Sequence, residues 1–319
     1  MSYDAIQLVT RPKWIGAAAD AIGDAVKHAY AAGGERGLRL KSLLNGVWLN
    51  HPLHAAITDV PIGAWTVAVT CDAAGAVTGR PDLDGCARIA TAIGVAGAVA
   101  SAAAGVTDWS DTDGESRRVG FVHGTLNLTA TTLFAVSLVE RRRDPGRGRL
   151  SALLGYAVAL TAAYLGGNLV YARRIGVSHA AGLEVPEEFT PVLPERELAD
   201  RRLTRAMAGS TPVLLVRNGD TVHAIAETCS HLGGPLSEGT LTDGTVICPW
   251  HGSRFSLDDG GVVNGPATHA QPCFEARIHD GQIEVRMPRH GRASEVVGGA
   301  AAPTEVRVKV ATEAGERVR

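Results

Sequence analysis

Hydropathy along the chain has two textures. Between residues 55 and 171 the apolar positions form four near-continuous stretches, Ala55 to Val77, Ile89 to Val106, Val119 to Val139 and Leu150 to Tyr171. Each approaches the roughly 20 residues that a helix needs to cross about 30 Å of hydrocarbon. The links between them are short and polar, with Arg80, Pro81, Asp82 and Asp84, then Asp108, Asp111, Asp113 and Glu115, then Arg141, Arg142, Arg143 and Pro145. This pattern predicts four transmembrane helices running up and down. Their Ala- and Gly-rich faces permit close helix packing in lipid. A buried soluble four-helix bundle would show the same runs. Upstream, Arg36 to Leu53 mixes Leu38, Leu40, Leu43 and Leu44 with Arg39 and Lys41, as an amphipathic helix at a membrane interface does; a packed amphipathic helix would look the same.

Beyond residue 190 the apolar runs shorten, alternate and are broken by turn dipeptides. Val213 to Arg217, Asn218-Gly219 and Thr221 to Ala226 spell one β-hairpin, and Glu275 to His279, Asp280-Gly281 and Gln282 to Val285 another. The expected fold class is multi-domain, an N-terminal all-α four-helix transmembrane bundle followed by a C-terminal all-β domain of antiparallel sheets. The expected limits are 1–54 for an interfacial region, 55–172 for the membrane domain, 173–189 for a linker and 190–287 for the β domain. Residues 288–319 are expected to form a tail with one edge strand or none.

Composition narrows the function. The 319 residues are 45% apolar and carry a net charge of -2, which excludes general disorder and gives no basic excess for nucleic acid. Residues 1–174 hold 17 Lys and Arg against 14 Asp and Glu, and the remainder 14 against 19. Five cysteines at irregular spacing do not form a disulfide framework; they read as reduced thiols or metal ligands in a reducing compartment. The N-terminus shows no cleavable signal pattern. Lys and Arg flanking the four spans number seven on each side, so charge bias leaves orientation open.

Polar residues at membrane depth are costly and point to function. His51, His54, Asp59, Asp108, His123 and Asn127 all fall toward one membrane face. His123 and Asn127, four apart, share one side of a helix. This cluster is a candidate site for a haem, a quinone headgroup or a metal, or else a set of helix-end and packing contacts. The segment His51-Pro-Leu-His54 with Asp59, Pro61, Gly63, His123 and Asn127 resembles a bacterial family of four-helix membrane domains of unknown function, over roughly residues 48–172. That resemblance implies a membrane address more than an activity. Asp72, beside Cys71, is expected to have a partner inside the bundle. Cys71 and Cys86 carry no assigned role.

Between the two hairpins stand Cys229-Ser-His231-Leu-Gly-Gly-Pro235 and Cys248-Pro-Trp-His251-Gly252. Zinc modules tend to pair Cys with Cys and His with His. Here each pair mixes the two, with sixteen residues between His231 and Cys248. Mixed pairs on two turns suit a two-iron cluster, in which replacing thiolates by neutral imidazoles reduces negative charge and raises the potential. Gly233, Gly234, Pro235, Pro249 and Gly252 favour tight turns that bring backbone N–H groups to sulfur.

These motifs resemble the Rieske iron–sulfur domain family over about residues 190–287. The resemblance implies one [2Fe-2S] cluster per chain, with Cys229 and Cys248 on one iron and His231 and His251 on the other, and two cluster-binding loops on an all-β Rieske domain. Ferric iron would draw electron density from the imidazoles, so cluster reduction is expected to be linked to proton uptake by the histidines. Gly234 and Trp250 stand where quinol-oxidising members have a loop disulfide. Ser253 matches their cluster-bonding hydroxyl, whereas Phe255 replaces a tyrosine. With fewer donors to sulfur, the expected midpoint lies below the quinol-oxidising type. Cys273 reads as a buried apolar residue, and His179, His223, His269 and His279 as surface or packing residues.

The expected function is a membrane-tethered one-electron carrier between a reductase or quinol and a membrane redox partner. A Rieske oxygenase needs a further iron site in a large catalytic domain, and with 32 residues after Met287 a terminal oxygenase is not expected. The alternatives are a quinol- or haem-dependent membrane oxidoreductase using His54 and His123 as its second site, or a redox sensor. The expected address is the cell membrane, with the Rieske domain in the cytoplasm.

Overall fold

The computed structural model describes residues 3–288, so the expectation for the tail lies outside the described residues. The described residues divide into two compact units, one running to Val177 and including Asn264–Thr268, the other comprising Ser178–Val263 and the described residues from His269 on.

The first unit is helical. Helices α1 (Tyr3–Thr10), α2 (Lys13–Ala32) and α3 (Gly34–Asn45) precede α4 (Leu53–Ile57), α5 (Asp59–Thr78), α6 (Asp82–Ser110), α7 (Gly114–Glu140) and α8 (Pro145–Gly167). Four segments, Leu53–Thr78, Asp82–Ser110, Gly114–Glu140 and Pro145–Ala172, are long and apolar enough to cross a membrane. The first expected span is divided, because α4 stops at Ile57 and α5 restarts at Asp59. Pro61 explains the break: with no N–H and a ring that crowds the preceding turn, it fits only within the first turn of a new helix. The interior is built from small residues around Trp65, which stacks on Phe134 at 4.2 Å and 9°, with Ala130, Ala152 and Ala159 around the pair. Ile89, Val99, Leu128 and Leu153 point outward and are each more than half exposed. A soluble bundle buries such residues instead.

Residues 1–54, expected to form one interfacial region, contain a 20-residue helix packed on the bundle. Ile15, Ala19 and Gly23 of α2 are its buried stripe, and Asp20 and Asp24 reach the buried Arg117 guanidinium at 3.3 and 3.4 Å. Arg141, expected in a polar link, is the partner of Asp72. Its side chain is fully buried, both Nη atoms bond the Asp72 carboxylate, and Nη1 also reaches Asp84 at 3.1 Å.

The second unit is all β. A six-stranded sheet has the order β1-β10-β9-β4-β3-β2 and a four-stranded sheet β5-β6-β7-β8. The strands are β1 (Thr190–Pro194), β2 (Thr204–Ala208), β3 (Thr211–Asn218), β4 (Thr221–Ala226), β5 (Thr240–Thr242), β6 (Thr245–Ile247), β7 (Arg254–Ser256), β8 (Val262–Asn264), β9 (Cys273–His279) and β10 (Gln282–Arg286). Both hairpins read from turn dipeptides form, with Asn218 opposite Thr221 and His279 opposite Gln282. Val213, Leu215, Ala224, Phe274, Ile283 and Val285 make the core.

Much of the expected linker is part of that core. Ala180 and Val185 are buried in it, Thr211 Oγ1 donates to Glu184 O at 2.7 Å, and Met287 N donates to Pro186 O at 2.9 Å. Arg173 folds back onto Glu115 at 3.1 Å. The segment is held because its alternate apolar side chains fill a sheet face that water would otherwise wet.

Candidate metal centre

Two turns of the same construction carry the four candidate donors. After β4, Cys229 N donates to Gly234 O at 2.8 Å and Gly233 N to Cys229 O at 2.9 Å; after β6, Cys248 N donates to Ser253 O at 2.8 Å and Gly252 N to Cys248 O at 3.1 Å. Each turn closes on a residue in the left-handed region, Gly233 at φ 83° and Gly252 at φ 75°, where a Cβ would be strained. The turn directs two backbone N–H groups at each sulfur, those of His231 and Leu232 at Cys229 and those of Trp250 and His251 at Cys248.

The donors meet by type. The thiols of Cys229 and Cys248 hydrogen-bond one another, while the His231 and His251 rings stand edge to face with centroids 5.2 Å apart. Sharing one proton between the sulfurs pushes the Cys229 thiol up and brings Cys248 down to about 7. Both cysteines are buried, and both imidazoles are half-buried. Among the described residues, no three His, Cys, Asp or Glu side chains form a group that could hold a metal ion. A sulfur pair beside an imidazole pair instead suits two irons bridged by sulfide, each iron taking one kind of donor.

The surroundings are close-fitting. A Cβ at Gly234 would lie 2.9 Å from Cys248 Sγ and 3.0 Å from the Trp250 ring, so only glycine fits there. Ser253 and Phe255 are completely buried, whereas Pro249 is exposed and Trp250 stands out beside His251, 56% exposed. Gln271, which the sequence did not flag, holds the first turn. Its Oε1 accepts from Ser230 N at 2.7 Å, and its Nε2 donates to Ala226 O and Thr228 O, both at 2.9 Å. Ser230 Oγ donates to His269 O at 2.6 Å, and His179 N to Ser230 O at 2.9 Å. His223 lies 3.5 Å from the Asp258 carboxylate and His279 3.7 Å from Glu284. Burial, and then Asp259 and Asp258, push the Cys273 thiol up to about 12.

In the helical unit the polar residues divide. His54 and His123 meet edge to face at 6.3 Å, and Asn127 Nδ2 lies 3.1 Å from His123 Nε2. His54 Nδ1 bonds Ser101 O at 2.9 Å and His123 Nδ1 bonds Ala162 O at 2.8 Å. Asp108 instead accepts from Asn45 Nδ2 at 2.7 Å. His51 and Asp59 are exposed; Asp59 stands in the first turn of α5, where the helix dipole favours a carboxylate.

A small antiparallel β domain presenting two Cys–His turns of this kind belongs to the iron–sulfur class. Residues 188–275 match the Rieske [2Fe-2S] domain family, and residues 50–179 match a family described as predicted membrane protein, DUF2231. The chain belongs to the Rieske [2Fe-2S] family, with a DUF2231 domain fused before the Rieske domain, and the Rieske domain implies a [2Fe-2S] cluster. Two relatives are the ferredoxin CarAc of Metapseudomonas resinovorans, 35% identical over 27% of this chain and 78% of its own length, and the anthranilate 1,2-dioxygenase ferredoxin subunit of Burkholderia cepacia, 33% identical over 31% of this chain and 93% of its own. Human apoptosis-inducing factor 3 is 31% identical over 94 residues, and this chain spans 16% of its length.

Proposed function

We propose that this protein is a membrane-tethered one-electron carrier, with Cys229 and Cys248 holding one iron of the cluster and His231 and His251 the other. The observation that carries this reading is the pairing of thiol with thiol and imidazole with imidazole on two turns of one design. The bound cluster supplies reversible one-electron transfer. The chain supplies the rest. Four backbone N–H groups aimed at the cysteine sulfurs stabilise negative charge there, burial keeps water from the thiolates, and the half-buried imidazoles with exposed Trp250 form the edge through which electrons pass.

The names of the relatives, a ferredoxin and the ferredoxin subunit of a dioxygenase, support protein redox partners; the donor in this reading is a reductase or a quinol, and the acceptor a membrane redox protein. The four apolar helices cross the cell membrane, and the Rieske domain lies in the cytoplasm, where clusters are inserted. A second reading, a two-centre oxidoreductase with a haem or quinone at His54 and His123, draws on one observation. Both rings give Nδ1 to a main-chain oxygen, which is how ligating histidines are oriented.

One experiment tests both: electron paramagnetic resonance and optical spectra recorded together during a potentiometric titration of the full-length protein. A Rieske signal titrating alone supports the tethered carrier, and a haem band beside it supports the two-centre reading. Iron-replete protein without a Rieske signal refutes the assignment of ligands.

A further inference from the structure

Cys71 on α5 and Cys86 on α6 lie outside the cluster site, yet their Sγ atoms are 2.7 Å apart. That is closer than two sulfurs approach without bonding and longer than the roughly 2.05 Å of a disulfide. Neither is enclosed: Cys86 is exposed and Cys71 half-buried.

Their neighbours fix the register that brings them together. Asp72 follows Cys71, Asp84 precedes Cys86 by two residues, and both carboxylates accept from Arg141 Nη1, at 2.7 and 3.1 Å. One guanidinium therefore ties α5 to α6 beside the thiols, and no helix has to slide for the sulfurs to join. The pair sits at the end of the bundle where α5 turns into α6. In an up-and-down bundle that end is opposite the one where α8 finishes.

We propose that Cys71 and Cys86 form a disulfide that staples α5 to α6, made by exchange with a disulfide-bearing oxidant. The Cys86 thiolate, the more exposed, attacks the oxidant RSSR and releases one RSH, leaving a mixed disulfide. Cys71 then attacks the Cys86 sulfur and releases the second RSH. Two S–H bonds and the oxidant's S–S bond break, one intramolecular S–S bond forms, and the oxidant takes up two electrons and two protons. The proposal rests on the cytoplasmic placement of the chain after α8, which turns this end of the bundle toward the oxidising compartment.

The test uses full-length protein in membranes from aerobic cells, acid-trapped, alkylated with N-ethylmaleimide in denaturant, reduced, and labelled with a heavier maleimide. The expected result is at least a tenfold excess of the second label at both Cys71 and Cys86, with Cys273 carrying the first. In Cys86→Ser, Cys71 is expected to switch to the first label. First label at both cysteines of the parent overturns the proposal, as does second label retained at Cys71 in Cys86→Ser. The Rieske signal of the same membranes reports the cluster separately. Its absence with this labelling pattern intact refutes the proposed function and not the disulfide.

Discussion

Gln271 gives the sharpest test of how the β domain holds its cluster. Gln271→Leu keeps the approximate volume and removes all three hydrogen bonds that the carboxamide makes, leaving Ser230 N–H and the carbonyls of Ala226 and Thr228 without this partner. Gln271 is 2% exposed, so water does not replace it. A buried polar group left unpaired costs about 1–3 kcal/mol, which puts the three together at about 3–9 kcal/mol, toward the low end because two of them are carbonyls, which tolerate a missing partner better than an N–H does. Added apolar burial by Leu offsets part of this, near 1–2 kcal/mol, for a net loss of about 3 kcal/mol. At 1.4 kcal/mol per factor of ten, local opening of the Cys229–His231 turn becomes about 100-fold more populated. The assay is the first-order rate of cluster bleaching in the full-length protein under an iron chelator and mild urea. The variant should bleach about 100-fold faster while its resting paramagnetic spectrum keeps the parent's shape, because all four donors remain. Bleaching within threefold of the parent would show that Gln271 does not hold the turn.

Three further outcomes follow from the same geometry. Gly234→Ala places a Cβ against Cys248 Sγ and Trp250; cluster iron per purified chain should fall at least severalfold, and full occupancy refutes the tight fit. Cys273 is kept neutral in the fold up to about 12, from an ordinary value of 9.0. The unfolded chain releases this proton first, so the folded chain binds more protons above pH 9 and stability falls from about pH 9 toward about 12. At pH 10.5 the parent should lose about 2 kcal/mol relative to Cys273→Ala, and parallel pH profiles for the two in urea unfolding would contradict this. Arg141→Met leaves Asp72 buried without its guanidinium, a loss of about 3–5 kcal/mol; an unfolding midpoint in mild detergent equal to the parent's would remove the network from the account of stability.

Legibility in the sequence followed the range of the interaction. The four long helices and both hairpins are local patterns, a run of apolar residues or a turn dipeptide between alternating strands, and both patterns are visible within 30 residues. The proposed donors Cys229, His231, Cys248 and His251 stand out in the sequence because cluster chemistry would impose their types and spacing. Asp72's need of a partner was legible too, but Arg141 as that partner was not, since 69 positions separate them and an arginine in a link reads as solvated. Gln271 carries no motif at all; its role comes from lying 41 residues from Ser230 in the chain and 2.7 Å from it in space. Helix α2 was obscured for another reason: its buried stripe of Ile15, Ala19 and Gly23 is so small that hydropathy barely registers it. The supposed linker failed as a reading because its Gly, Pro and Glu suggest an extended segment, whereas Ala180 and Val185 are enough to seat it in the core.

The spacing of the ionic groups along the bundle matches a bilayer's thickness more closely than mean hydropathy alone suggests. On α6, Asp84 bonds Arg141 near one end and Asp108 bonds Asn45 near the other, with Lys41 pairing Asp111 just beyond at 2.8 Å. The 24 residues from Asp84 to Asp108 span about 36 Å at 1.5 Å each, a little more than the roughly 30 Å of hydrocarbon. Between those layers α6 carries no charged residue except Arg88, one turn inside Asp84 and within reach of the interface by snorkelling. In a bilayer the charges would thus stand at the depths where desolvation costs least. His54 contacts Ser101, seven residues and about 10 Å inward of Asp108 along α6, so in a membrane the imidazole pair would lie in the apolar layer. A ring there has to satisfy its N–H inside the protein, and both rings do so by giving Nδ1 to a helix carbonyl. The same bond that orients a ligating histidine is also the one that membrane depth demands, and the joint optical and paramagnetic titration separates the two: a haem band assigns the pair as ligands, and a Rieske signal titrating alone assigns the bonds to the satisfaction of buried N–H groups.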